Sequence, residues 1–450
     1  MSAEERFDAV VVGAGPGGKH AARGLAKAGH KVAVVEAELV GGECPFWACM
    51  PSKTLLRPIE AQGEAAHVAG VDRPALHWDE VARYRDYMVS DHDDTAKAEK
   101  LAEAGVEIVR GRARLDGPSR VAVGERTLRA DRIVLAPGTT SAIPPLDGLD
   151  GIGYWTNREA TALEAVPQSA IVLGGGPVGV ELAQMLARFG ARTTLVEAAP
   201  RLLARETAPV GDLLAELLAD DGIDVRLGMK ASRAEAAGAG VRVHLGPGDA
   251  VEAERLVIAV GRRPRTEGLG LESVGIAVAD DGSIPVDAHC RAGAGVWAVG
   301  DVTGVAPFTH VASYQARIAV DAILGRPREA DYRAVPRVVF TDPEVAAVGE
   351  TPEQARERRV DVGVAGGSLS DLDRTQTYGR ELQGAYGVVA DRGAGIALGA
   401  WAVGPLASEW IHPIALAILV RTPLGVLSES MAQFPSFAEA WPMAARELSA

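Results

Sequence analysis

The stretch FDAVVVGAGPGGKHAARGLAKAGHKVAVVE, Phe7 to Glu36, reads as a strand, a glycine-rich turn, an alanine-rich helix and a second strand ending in an acid. Its glycines Gly13, Gly15 and Gly18 have G-x-G-x-x-G spacing. The first permits the tight turn, the second lets backbone approach a pyrophosphate, and the third lets the helix pack closely on its strand. The helix N-terminus then faces the anion, and Glu36 is placed for ribose hydroxyls. The same order recurs from Ala170: Gly174, Gly176 and Gly179, a helix ending near Gly190, and the strand Thr193 to Glu197. First glycine and acid are 23 positions apart in both copies, Gly13 to Glu36 and Gly174 to Glu197. One glycine fingerprint is a weak signal. Two with identical acid spacing predict an α/β chain with two Rossmann-like domains and two bound dinucleotides.

Five residues beyond Glu36 begins GGECPFWACMPSK, Gly41 to Lys53. It holds two of the chain's 3 cysteines, Cys44 and Cys49, beside the first dinucleotide site. A dithiol there can store an electron pair as a disulfide. In a regular helix the two are too far apart for easy bridging, so the first turn is expected to be irregular, and Pro45 suits a helix start. A helix N-terminus also stabilises a thiolate. Half of a zinc site is the competing reading, but Cys290 is the remaining cysteine and no local histidine pattern completes four ligands. No metal site is expected.

Between the copies, Arg132 to Ala136 reads as a short buried strand ending at Pro137-Gly138, followed by a connection through Pro144, Pro145 and Gly148. Gly295 to Val299, ending in Gly300-Asp301, is a further strand, with a helix from about Val311 to Leu324. The first domain is therefore expected at 1–150 and 269–334, with the second, 151–268, inserted into it. From 335 to 450 the character changes. Arg337–Phe340, Tyr386–Ala390 and Ile396–Val403 look antiparallel, the last two joined by Gly393-Ala394-Gly395, and helices follow from Leu406. This last part is an α+β domain without a nucleotide fingerprint.

At 450 residues, 47% hydrophobic and 24% charged, the chain is an ordinary globular protein with room for two or three domains. A net charge of -14 argues against nucleic acid or an anionic membrane as partner and favours a small-molecule substrate. No charged-then-apolar leader precedes the first strand, and the longest apolar stretches are too short to span a bilayer. A cytoplasmic enzyme is expected, its paired cysteines catalytic rather than structural.

Taken together, these motifs resemble the pyridine nucleotide-disulfide oxidoreductases, the family of dihydrolipoamide dehydrogenase, glutathione reductase and mercuric reductase. The resemblance spans nearly the whole chain. It implies that the first unit binds FAD through Gly13, Gly15, Gly18, Glu36, Gly138 and Asp301, the last in VWAVGDV. The second binds NAD, with NADP as the alternative, through Gly174, Gly176, Gly179 and Glu197. Glu197 would repel a 2′-phosphate, although Arg201 and Arg205 follow closely. The third domain is implied to be the dimerisation domain of a homodimer in which the partner's C-terminus completes each active site. Cys44 becomes the interchange thiol, Cys49 the flavin-proximal thiol, and Lys53 a cation near the flavin, paired with Glu181. Trp47 and Ala48 depart from the commoner small-residue pattern. The indole either shapes access to the cysteines or packs in the core.

The larger departure is C-terminal. The family carries a His-Pro with a Glu five positions after the His, and that imidazole serves the thiols as acid and base. Here the run is Phe434-Pro435-Ser436-Phe437-Ala438-Glu439. Glu439 is retained either as a catalytic residue or as the acid of a Ser-x-x-Glu capping box. Pro442 is expected to interrupt or kink any helix starting there. His412 and His310 read as packed or capping residues. The leading functional reading is a reductase passing electrons through Cys44 and Cys49 to a small disulfide. A quinone or other small electrophile is the alternative, because proton delivery to a thiolate is then not required. Mercuric reduction is disfavoured by the lack of a C-terminal cysteine pair, and a non-catalytic flavoprotein subunit is a minor reading.

Overall fold

The computed structural model describes residues 4–379 and 382–449. The chain divides into two compact units: Met1–Pro51, Arg85–Ala142 and Gly261–Asp331 form one, and Ser52–Tyr84, Ile143–Val260 and Tyr332–Ala450 the other.

Unit one is built on a six-stranded sheet, in the order Arg291–Gly293, Val296–Ala298, Ile133–Leu135, Ala9–Val12, Val32–Glu36 and Val106–Arg110. The last five run parallel. Ala9–Val12 and Val32–Glu36 are buried along their whole length, hence the unbroken apolar runs. The helix Pro16–Lys27 covers them with Ala21, Ala22 and Leu25. It meets the helix Thr309–Ile323 closely: a Cβ on Gly24 would lie 3.2 Å from Val320. The expected late strand pairs in parallel with Ile133–Leu135. The two ends of this unit's long excursion also meet, since Arg262–Pro264 pairs antiparallel with Thr139–Ser141.

Unit two repeats the parallel theme on four strands, in the order Asp224–Leu227, Arg192–Glu197, Ser169–Leu173 and Arg255–Ile258. It adds an antiparallel sheet of five, in the order Pro336–Val339, Glu344–Gly349, Ile396–Gly404, Ala385–Asp391 and Val362–Ser368. The C-terminal helix Ala440–Ser449 closes over this sheet through Trp441, which is 1% exposed and donates from its indole N–H to the Trp410 carbonyl at 2.7 Å. The kink expected at Pro442 is absent. Pro442 falls in the first turn, where its missing N–H costs no helical hydrogen bond. Leu416, Val420, Val426, Met431 and Phe434 leave an exposed apolar face on this last segment. No helix among the described residues is long and apolar enough to cross a membrane.

Candidate active site

The two glycine loops are built alike. Gly13, at φ +94°, has no room for a Cβ, which would sit 2.2 Å from the Ala136 carbonyl oxygen, and Gly174, at φ +111°, meets Ala259 in the same way at 2.4 Å. A Cβ on Gly18 would come within 1.8 Å of the Gly13 oxygen, and one on Gly179 within 1.7 Å of the Gly174 oxygen. The middle glycines are different. Nothing lies within 4 Å of a Cβ on Gly176, and the nearest atom to one on Gly15 is 3.9 Å away. Protein packing therefore dictates the outer glycines and leaves the middle ones open at a helix N-terminus. That is the cradle a pyrophosphate needs, so the residues present fit FAD and NAD(P)H.

The acids repeat as well. Glu36 accepts from the N–H groups of Ala14 at 2.6 Å and Glu38 at 2.8 Å, and Glu197 from those of Gly175 at 2.5 Å and Ala199 at 2.6 Å. Each carboxylate thus pins its own loop to the strand end, a role the sequence reading missed. Each oxygen keeps a second lone pair for a ribose hydroxyl. Gly138 takes positive φ and its carbonyl accepts from the Arg265 N–H. Asp301 opens a short 3₁₀ turn and accepts from the Thr139 hydroxyl at 2.9 Å, while Arg262 donates to that same hydroxyl at 2.7 Å. Thr139 and Arg262 carried no sequence signal of their own, because they become neighbours only through the strand pairing noted above.

The redox motif rests on the first loop: a Cβ on Gly42, at φ +70°, would be 2.7 Å from the Gly15 Cα. As expected, the helix start is broken. Glu43–Phe46 forms one short helix and a second begins at Cys49. Both cysteines are thiols, hydrogen-bonded to each other. That bond, and then burial, push the Cys44 thiol far above its ordinary range. Cys49 lies 3.5 Å from the hydroxyl of Thr309, the first residue of its helix. Cys49 is the first residue of the second helix. Lys19, in the first turn of Pro16–Lys27, interacts electrostatically with Cys44. Burial first, then the charges of Lys97 and Arg23, hold its ammonium below the usual lysine range. Neither Thr309 nor Lys19 was legible as part of the site. Cys290 is buried in the core of unit one.

In unit two, Lys53 and Glu181 come together: Nζ lies 2.6 Å from Oε2. The Glu181 side chain is 7% exposed and its other oxygen accepts from the Phe340 N–H at 2.9 Å. The Lys53 ammonium also sits 4.8 Å above the Phe340 ring. At the C-terminus Phe434 is 71% exposed, and Glu439 accepts from the Ser436 N–H at 2.9 Å, as a capping acid does. His412 is exposed, and His310, also exposed, stacks on Phe308 at 5.2 Å.

A half-buried acid near the start of the five-stranded sheet gives a measurable pH signature. Burial pushes Asp342 up to about 7, against the pull of Arg188 and with the added repulsion of Asp221. Arg188 is 2.7 Å from Asp221 but 3.5 Å from Asp342. The folded protein thus holds a proton that the unfolded chain releases near the ordinary aspartate value. Its stabilisation is complete below that value and lost as pH rises through about 7. Between pH 5 and 8 the loss amounts to about 1.4 kcal/mol per unit across ~2 units. Asp342→Asn should melt with a visibly smaller difference between pH 5 and 8 than the parent. Equal differences would exclude this origin.

Comparison with known proteins agrees with this geometry. The pyridine nucleotide-disulphide oxidoreductase family matches residues 7–316, and the dimerisation domain of that family matches residues 335–445. The chain is 35% identical to the dihydrolipoyl dehydrogenase of Chlorobaculum tepidum, covering 96% of this chain and 95% of that one. It is 33% identical to the mercuric reductase of Streptomyces lividans, covering 99% and 97%. Among solved structures, the HOCl-induced flavoprotein disulfide reductase RclA of Escherichia coli superposes with a TM-score of 0.88 at 28% identity, covering 98% of this chain and 99% of that one. LpdA of Mycobacterium tuberculosis gives 0.87 at 28%, covering 99% and 100%. The chain belongs to the pyridine nucleotide-disulphide oxidoreductase family, and is an FAD-containing, NAD(P)H-dependent oxidoreductase.

Proposed function

We propose that the enzyme passes electrons from NADH through the Cys44 and Cys49 pair to a small disulfide. The observation that carries this is the adjacency of the two thiols at a broken helix start packed on the first glycine loop. When bound, FAD would supply hydride acceptance and a two-electron path to the Cys44–Cys49 disulfide. The loops of Gly13, Gly15 and Gly18, with Glu36, Gly138 and Asp301, would hold it, in a domain of residues 1–150 and 269–334. Gly174, Gly176, Gly179 and Glu197 would hold the nicotinamide cofactor in residues 151–268. Lys53 follows Cys49 by four residues in the same helix, and Glu181 keeps its cation fixed without an unpaired buried charge. Glu197 favours NADH. Arg201 donates to the Ala204 carbonyl at 3.2 Å.

Residues 335–450 would form a homodimer interface through the exposed apolar face between Leu416 and Phe434. A second acceptor class, quinones, is favoured by one observation: an exposed phenylalanine stands where the family's acid-base histidine is expected. Anaerobic titration tests the central claim. Oxidised protein should take up two electron pairs per subunit, and NADH should deliver them faster than NADPH. Uptake of a single pair refutes a working dithiol, and faster reduction by NADPH refutes the role given to Glu197.

A further inference from the structure

Three consecutive residues with side chains, Ser90, Asp91 and His92, adopt left-handed backbone at φ +54°, +47° and +59°. Left-handed backbone is unfavourable for residues with side chains, and the conformation persists only where its surroundings hold it. The turn is closed by the Asp93 N–H donating to the Ser90 carbonyl at 2.7 Å and the His92 N–H to the Val89 carbonyl at 3.1 Å. What it delivers is an imidazole. The His92 ring centroid lies 5.6 Å from that of Trp47, tilted by 34°, and 6.2 Å from that of Phe46, tilted by 25°. Nε2 of His92 is buried and has no hydrogen-bond partner among the described residues, an unfavourable arrangement. Phe46 is 1% exposed, and the Lys97 ammonium caps its ring at 4.5 Å.

Two unfavourable features, a strained turn and an unpartnered nitrogen, thus coincide at one place. That place adjoins Phe46 and Trp47, which lie between the cysteines where the helix breaks. We propose that His92 is a positioning residue for the dithiol: its ring, packed against Trp47 and Phe46, fixes the break so that Cys44 stays within bonding reach of Cys49. The proposal rests on the dithiol reading above and goes beyond it by naming what holds the pair. It also assigns Trp47, ambiguous in the sequence, to the support of the cysteines.

The test uses the full chain as purified with its flavin and reads thiol chemistry rather than turnover. One measurement is the equilibrium of the Cys44–Cys49 disulfide with dithiothreitol; the other is the rate of Cys44 alkylation in the reduced protein. His92→Ala should shift the equilibrium toward the dithiol by up to about tenfold, the scale of an aromatic pair, and speed alkylation of Cys44. His92→Phe keeps the planar ring. It should restore both readouts to within about twofold and, by removing the unpartnered nitrogen, melt at a higher temperature. Where His92→Ala does not fold, His92→Leu replaces it, filling space without a flat face. An unchanged equilibrium in the alanine or leucine variant overturns the proposal, and so does failure of His92→Phe to rescue. If the parent protein itself forms no disulfide, the dithiol reading fails instead.

Discussion

Cys44→Ser is expected to lower disulfide reduction at least ~10³-fold while NADH-driven quinone reduction stays within a few-fold of the parent. In the reduced protein one thiol must attack a sulfur of the acceptor, breaking its S–S bond and forming a mixed disulfide. The departing thiolate takes a proton. The second thiolate then attacks the enzyme sulfur of the mixed disulfide, closing the Cys44–Cys49 bond and releasing the other half of the acceptor. Two electrons leave the dithiol and two thiols leave the site. A serine hydroxyl can do neither step, because it is far less acidic than a thiol and forms no S–S bond, and loss of a covalent nucleophile is costly in general. Quinone reduction needs no mixed disulfide. Stopped-flow reduction by NADH, followed by turnover with each acceptor, separates the two routes. Disulfide turnover surviving in the variant would remove Cys44 from the interchange role. Parallel loss of quinone turnover would show that both acceptors draw on the dithiol.

What was legible in the sequence, and what was not, follows from how local each signal is. The glycine loops declared themselves because steric exclusion at Gly13 and Gly18 acts within a few residues, and its repetition at Gly174 and Gly179 removed the ambiguity. Cys44, Cys49 and Lys53 were legible for the same reason, as one short run. Lys53 and Glu181 are 128 positions apart and were paired only through resemblance, yet the structure brings them to 2.6 Å. Thr309, Thr139 and Arg262 were out of reach. Each is an ordinary polar residue whose place depends on a strand or helix from a distant part of the chain. The Pro442 error was of another kind: a helix breaker was read without knowing that the helix starts at Ala440, which makes the same proline harmless. His92 was invisible because nothing in Val89-Ser90-Asp91-His92 announces left-handed backbone.

Phe434→His should raise the reduction of unactivated alkyl disulfides such as lipoamide by about tenfold or more, and change quinone reduction little. A thiolate expelled from an alkyl disulfide is a poor leaving group unless it is protonated as it departs, and a positioned acid typically contributes ~10²–10⁴-fold. If the partner subunit's Phe434 stands opposite Cys44, that face of the cleft is apolar. The parent enzyme should then turn over lipoamide or glutathione disulfide slowly and activated disulfides or quinones faster, since an acidic leaving thiol needs no such help. Among the described residues Glu439 is hydrogen-bonded through Oε2, to the Ser436 N–H, so its other oxygen is available to orient an introduced imidazole. The capping bond itself ties Glu439 to the backbone, and the gain should therefore fall short of the full range. Measuring kcat for an alkyl disulfide, an aryl disulfide and a quinone in parent and variant gives the comparison. A parent kcat of hundreds per second with the alkyl disulfide, toward the top of the typical ~1–10³ s⁻¹ range, would sink the account built on Phe434. The proton would then come from elsewhere, and Lys19 is the group to replace next. It interacts electrostatically with Cys44, its ammonium is already held below the ordinary lysine range, and it makes no ion pair among the described residues.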